Sequence, residues 1–252
     1  MSTAGRTWLI DLGNSRLKCA PLDAPGQRGP VIAIGHEHGD PLPPLLAHIG
    51  TPDTGAEVWL ASVASAERSR ALVQGLRAAG FGVHPIATVA ICGKLRIAYA
   101  DPTRLGVDRF LTLLAACERN DGPWLIVSAG SALTVDLLGS DGRHLGGMIA
   151  PMPIAMRVAL AQQFTQLDVP EGQPRDFADN TADAIASGTQ AALLGVVERA
   201  ARLAGERLGV APTVLVCGGA ADRLDALECA PLVQLPWLVL DGMVAFVAGA
   251  GR

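Results

Sequence analysis

The chain has 252 residues, half of them apolar and 17% charged, with a net charge of -4. That length and apolar content suit one large domain or two lobes sharing a core, and they exclude a disordered chain. No block of Lys and Arg occurs, which argues against nucleic acid as the main partner, because affinity for a phosphate backbone comes from clustered cations.

No run approaches the ~18 consecutive apolar residues of a transmembrane helix. Residues 1–6 carry no long apolar core, so no signal peptide is expected. The five cysteines, Cys19, Cys92, Cys117, Cys217 and Cys229, are scattered and form no Cys-x-x-Cys pair. Buried free thiols in a reducing cytoplasm fit that pattern better than disulfides or zinc ligands.

In chain order, the apolar run 8–10 predicts a buried strand, cut off by Asp11-Leu12-Gly13-Asn14-Ser15. Residues 15–20 then alternate polar and apolar, as the return strand of a hairpin does. This places a carboxylate at a strand end beside a turn whose backbone N–H groups can face an anion. A third strand is expected at 30–35, a short helix at 45–49 and a buried strand at 57–61. Ser65 is placed to cap the next helix and Gly80 to stop it. Strands interleaved with helices make an α/β fold. Residues 86–99 read as irregular, and 101–109 lead into a helix with Phe110, Leu111, Leu114 and Cys117 on its apolar face.

At Trp124 the pattern begins again. Setting Gly130 against Gly13 brings Ser128 opposite Asp11, with return strands at 133–138 and 144–149. Internal repetition at half the chain length suggests two similar lobes, 1–120 and 121–252. The second half continues with a helix at 153–164, a polar loop at 168–179, and a long helix to about 208 capped by Asn180 or Thr181. In that helix Gly188, Ala191, Ala192 and Gly195 are small enough to admit a neighbouring helix. A strand at 213–217 ends in Gly218-Gly219, followed by a helix at 220–227 and a closing helix at 241–250.

Glycine turns after strands, at Gly13, Gly130 and Gly218-Gly219, suit a nucleotide held beyond the strand ends, in a cleft between the lobes. None fits the P-loop spacing, and no Gly-x-Gly-x-x-Gly follows a strand. Asp11 has the chemistry to hold a hydrated Mg²⁺, which takes one or two carboxylates plus phosphate oxygens. Lys18 offers charge to a phosphate. Asp108 is the candidate base for phosphoryl transfer to an alcohol, and Arg109 offers a fork for a substrate carboxylate. The plainer alternatives are a solvated strand lysine, a helix N-terminal acid and a surface arginine.

Together these residues resemble the type III pantothenate kinases, members of the superfamily of acetate and sugar kinases and actin. Asp11-Leu12-Gly13-Asn14-Ser15-Arg16-Leu17-Lys18 is similar to the family's first phosphate motif and Gly106-Val107-Asp108-Arg109 to its Gly-x-Asp-Arg signature. Gly130-Ser131-Ala132-Leu133-Thr134-Val135-Asp136 resembles the second phosphate motif, Gly147-Met148-Ile149-Ala150-Pro151 a segment after it, and Gly218-Gly219 the adenosine motif.

The resemblance implies duplicated actin-like ATPase (ribonuclease H-like) lobes and an enzyme that transfers a phosphoryl group from ATP to pantothenate, the first step of coenzyme A synthesis. It makes Asp108 the proton acceptor and lines the pantothenate site with Tyr99, Gly106, Val107, Asp108, Arg109 and Thr181. ATP would be contacted by Asp11, Leu12, Gly13, Asn14, Ser15, Arg16, Leu17, Lys18, Ser131, Gly218 and Gly219. A cytoplasmic homodimer, with Mg²⁺ held at Asp11 through water, is implied too. Where the family carries an aspartate for an activating K⁺ or NH₄⁺, this chain has Ser128, a neutral and weaker ligand. The rival readings are a non-catalytic nucleotide-binding or transcriptional accessory protein on the same fold, and another small-molecule kinase of the superfamily.

Overall fold

The computed structural model describes residues 5–24, 26–36, 39–119, 122–164, 171–227 and 231–250; Cys229 and residues 168–170 of the expected polar loop lie outside these. The chain divides into two compact units. One comprises Met1–Asn120, Asp141–His144 and Trp237–Arg252, the other Asp121–Ser140 and Leu145–Pro236.

The first unit opens with β1 (Thr7–Leu12), β2 (Arg16–Ala24), β3 (Gln27–Arg28) and β4 (Ile32–Gly35). Next come α1 (Leu42–Ile49), β5 (Glu57–Ser62), α2 (Ala66–Ala78) and β6 (Gly82–Pro85). Two prolines sit in the first turn of α1, where the missing N–H has no helical partner to lose. Ser65 caps α2 by accepting the Arg68 N–H, the expected role. The stretch 86–99 is less irregular than expected, since β7 (Ile91–Cys92) and β8 (Leu95–Arg96) pair antiparallel around Gly93. Two-residue strands are too short to leave a period in sequence. A 3₁₀ turn at Pro102–Arg104 then leads into α3 (Val107–Cys117). Rather than one apolar face, α3 buries every residue from Arg109 to Cys117.

β9 (Trp124–Ala129), β10 (Ala132–Leu138) and β11 (His144–Pro151) lead into the second unit, with His144 itself counted in the first. They are followed by α4 (Pro153–Gln163), α5 (Thr181–Leu208), β12 (Thr213–Cys217) and β13 (Leu232–Gln234). Asn180 caps α5 by accepting the Asp183 N–H. The helix expected at 220–227 is only a 3₁₀ turn, Ala221–Leu224. One buried side chain, Leu224, anchors it, too little apolar contact to hold two helical turns. Leu193, Val197, Ala200, Ala201 and Ala204 of α5 pack on Leu125, Val127, Val135, Val214 and Val216 of the sheet. Gly188, Ala191, Ala192 and Gly195 lie on the exposed side of α5, so among the described residues no helix of its own unit covers them.

The closing helix α6 (Leu238–Ala250) rejoins the first unit. There Trp8, Ile10, Leu12, Leu17, Val58 and Leu60 form a core with Leu45 of α1 and Leu72 and Leu76 of α2. Alternation along a strand turns Leu9, Asp11 and Trp59 to the other face. On that side Phe246 of α6 meets Trp59 and Phe110 edge-on, with ring centroids 6.1 Å apart in both pairs.

The two sheets share a plan. The first runs β3-β2-β1-β5-β6, with β4 also on β2; the second runs β11-β10-β9-β12-β13. In each, a leading strand (β1 or β9) has its hairpin partner antiparallel on one side and two parallel strands on the other. The loose sequence repeat is therefore a repeat of topology. Cys19, Cys92, Cys117 and Cys217 are free thiols, and burial pushes Cys19 up to about 12. Among the described residues no helix is long and apolar enough to cross a membrane.

Candidate active site residues of the two units

Sequence-predicted site residues of the first unit fall into two groups. The first is the β1–β2 turn, closed by a hydrogen bond of 3.1 Å from the Gly13 N–H to the Arg16 carbonyl. Asp11 and Lys18 stand opposite each other across the hairpin, and Lys18 Nζ lies 3.0 Å from Asp11 Oδ2. Asp11 is only 4% exposed, so its charge is tolerable because the lysine partners it. The two residues thus form one charged unit rather than two independent contacts. Leu12 and Leu17 flank the turn with side chains in the apolar core, which leaves only their main chain for a ligand. Asn14 and Arg16 are exposed, Gly13 and Ser15 half-buried.

The second group lies at the start of α3. Gly106 is the N-cap, and the Asp108 side chain folds back over it. A Cβ at Gly106 would come 2.6 Å from Asp108 Oδ1, so glycine is what lets that carboxylate sit there. Asp108 Oδ1 also accepts the Arg109 N–H at 2.8 Å, at the helix end where a negative charge is favoured. Arg109, 5% exposed, is a buried arginine and not a surface one. Its Nη1 donates to the Tyr99 hydroxyl at 3.2 Å, and its Cζ lies 5.8 Å from the centre of the Tyr99 ring. Val107 is buried.

His144, which sequence reasoning passed over, stacks on Tyr99 with centroids 6.1 Å apart and planes 9° from parallel. Its Nδ1 accepts the Ala98 N–H at 3.3 Å. A lone histidine at a strand start, far along the chain from Tyr99, gives no local signal of this contact.

In the second unit the β9–β10 turn is closed by the Gly130 N–H on the Ala132 carbonyl at 3.1 Å, with Ser131 exposed at its tip. Ser128 on β9 stands across from Thr134 and beside Cys217. Gly218 has φ +99°, and a Cβ there would meet the Ala129 carbonyl oxygen at 2.3 Å. Gly219 is exposed, and the chain closes this bend with the Ala220 N–H on the same Ala129 carbonyl, at 3.1 Å. Thr181 is exposed at the first residue of α5. Two residues on, Asp183 is held below the ordinary carboxylate range by the Gln173 N–H, then by the Asn180 side chain, with Arg175 adding less.

Among the described residues no three His, Cys, Asp or Glu side chains gather as a metal centre. Asp11 alone is a donor set that fits Mg²⁺, which keeps most of its waters and shares phosphate oxygens, and does not fit a metal needing an all-protein cage.

Strand order and paired glycine turns define a duplicated α/β fold of the actin and sugar-kinase class. An archaeal actin homolog aligns over 98% of this chain and all of its own, at 11% identity and a TM-score of 0.50. A structure from Campylobacter jejuni, described as a conserved Baf family transcriptional activator, aligns over 97% of this chain and 98% of its own, at 18% identity and a TM-score of 0.57. These likenesses speak to fold alone.

The family model for type III pantothenate kinase matches residues 8–203. A type III pantothenate kinase of Stenotrophomonas maltophilia is 44% identical over 94% of this chain and 95% of its own length. The chain belongs to the type III pantothenate kinase family.

Proposed function

We propose that this chain phosphorylates the primary hydroxyl of pantothenate with ATP, giving 4'-phosphopantothenate for coenzyme A synthesis. The observation that carries the reading is the Gly106-Val107-Asp108-Arg109 geometry in a chain of this family. A carboxylate is seated over a glycine at a helix N-terminus, next to a buried arginine tied to Tyr99.

Phosphoryl transfer needs little covalent help from protein; positioning and charge supply most of it. In this reading Asp108 accepts the hydroxyl proton as the alcohol attacks. Arg109, Tyr99, Gly106, Val107 and Thr181 orient pantothenate. ATP is contacted by residues 11–18 and by Ser131, Gly218 and Gly219. Asp11 would hold Mg²⁺ through water, and the ion would supply positive charge to the transferring phosphoryl group. A neutral hydroxyl at Ser128 makes K⁺ or NH₄⁺ activation weaker than an aspartate there would.

The cytoplasm is the compartment assigned, in keeping with the free thiols among the described residues. A homodimer is the assembly assigned. Its support is the apolar surface of the second unit, where Ile149, Ile154, Val158, Phe164 and Phe177 are all exposed. Light scattering across a concentration series checks this; a monomer at every concentration refutes it.

The test of function is ADP release by the purified protein with pantothenate and Mg²⁺, with and without K⁺ and NH₄⁺. Turnover that requires pantothenate supports the reading. Nucleotide binding with no pantothenate-dependent turnover under any cation would instead favour the non-catalytic alternative.

A further inference from the structure

Every carbonyl of the β1–β2 turn is gripped by the protein. The Leu12 carbonyl accepts the Val63 N–H and the Ser15 carbonyl the His36 N–H, both at 3.1 Å. Arg68 Nη1 reaches the Asn14 carbonyl at 3.4 Å. The Gly13 carbonyl lies 3.0 Å from Nε2 of the His36 imidazole. His36 follows β4 and is 1% exposed. Through its backbone and its ring it holds the turn at two points.

A carbonyl oxygen only accepts, so Nε2 bears the ring proton. Nδ1 is buried and has no partner among the described residues. The ring is therefore an Nε2–H donor with a single use. Leaving Nδ1 unpaired costs stability that an apolar side chain of similar size would not. What an apolar side chain lacks is the bond to Gly13.

That bond has a directional consequence. In a trans peptide the C=O and the following N–H point in opposite directions. Turning the Gly13 carbonyl toward His36 thus sends the Asn14 N–H out on the far side of the turn. An N–H aimed outward from such a turn can meet an anion.

We propose that His36 is a positioning residue for the nucleotide: its Nε2–H fixes the Gly13–Asn14 peptide so that the Asn14 N–H meets an ATP phosphate oxygen. This rests on reading residues 11–18 as the ATP phosphate turn. The tests use wild type, His36→Leu and His36→Gln. Calorimetry with a non-hydrolysable ATP analogue and Mg²⁺ is set beside steady-state kinetics.

In His36→Leu the analogue Kd and the KM for ATP rise roughly five- to tenfold, the size of one neutral hydrogen bond. The KM for pantothenate stays put. His36→Gln, whose amide N–H can reach Gly13, recovers most of the loss. Equal analogue affinity in all three proteins overturns the role of His36 and leaves the ATP reading standing. Absence of analogue binding by wild type removes both.

Nitrogen-15 NMR of the wild-type histidine rings gives an answer even if the Leu variant does not fold. The expected signal is an Nε2-protonated His36 tautomer that shifts when analogue and Mg²⁺ are added. An Nδ1-protonated ring, or a signal indifferent to the analogue, overturns the proposal.

Discussion

In the first unit the next-to-last residue of the leading strand is Asp11, paired across the hairpin with Lys18. In the second unit that place belongs to Ser128, opposite Thr134. Both turns then present a glycine N–H to a carbonyl on the return strand, at 3.1 Å in each case. Beyond the parallel neighbour the two diverge again. Val63 follows β5 directly and bonds the Leu12 carbonyl, whereas after β12 the chain spends Gly218 and Gly219 before Ala220 bonds the equivalent Ala129 carbonyl. Apolar alternation and turn glycines thus keep the frame alike in the two halves, while the chemistry on the frame is free to differ. The first turn is a charged unit and the second a neutral one.

Asp11→Ser converts the first turn toward the second and tests whether the charge matters. A carboxylate acting on a metal through water contributes about 10–100-fold to activity, so kcat/KM for ATP falls by that factor. An unchanged value would mean that the two turns are interchangeable. Gly218→Ala forces a Cβ toward the Ala129 carbonyl at positive φ, a strain of about 1–3 kcal/mol. The thermal midpoint drops accordingly; an unchanged midpoint would show that the bend relaxes freely. Ser128→Asp moves the second turn toward the first, and a few-fold gain in the response of kcat to K⁺ or NH₄⁺ is expected. No change in that response would separate Ser128 from any cation site.

The smallest effect concerns the chain leading into α5. Asp183 is held low by the Gln173 N–H and Asn180, so its contribution is present above the unfolded carboxylate value and is lost as pH falls through the folded one. In Asp183→Asn that acid limb of the stability profile flattens, as thermal melts between neutral and acid pH will read. An identical acid limb in the variant would free Asp183 of this role.

Much of this frame can be read from sequence. The 8–20 hairpin, the Ser65 cap and the Asn180 cap are local, and local rules give them. What periodicity reports is whether a face meets water, not which partner covers it. Hence the closing helix was legible as packed, yet nothing in residues 241–250 says that it returns to the first unit. The burial of Arg109 has no local signal, and its partner Tyr99 is ten residues away in sequence. His36 and His144 were silent for the same reason, their partners being remote in sequence. For the site, the motifs supplied residue numbers; the Asp11–Lys18 pair and the main-chain-only availability of Leu12 and Leu17 are visible only in three dimensions.

The most direct measurement is pantothenate-dependent ADP release by wild type and by Asp108→Asn, each with its thermal midpoint. The account predicts turnover in wild type that vanishes when pantothenate is omitted. It also predicts a fall in kcat of roughly 10²–10⁴-fold in Asp108→Asn, the usual contribution of a general base, at an unaltered midpoint. Wild-type protein that never responds to pantothenate, or an Asp108→Asn variant as fast as wild type, would contradict it.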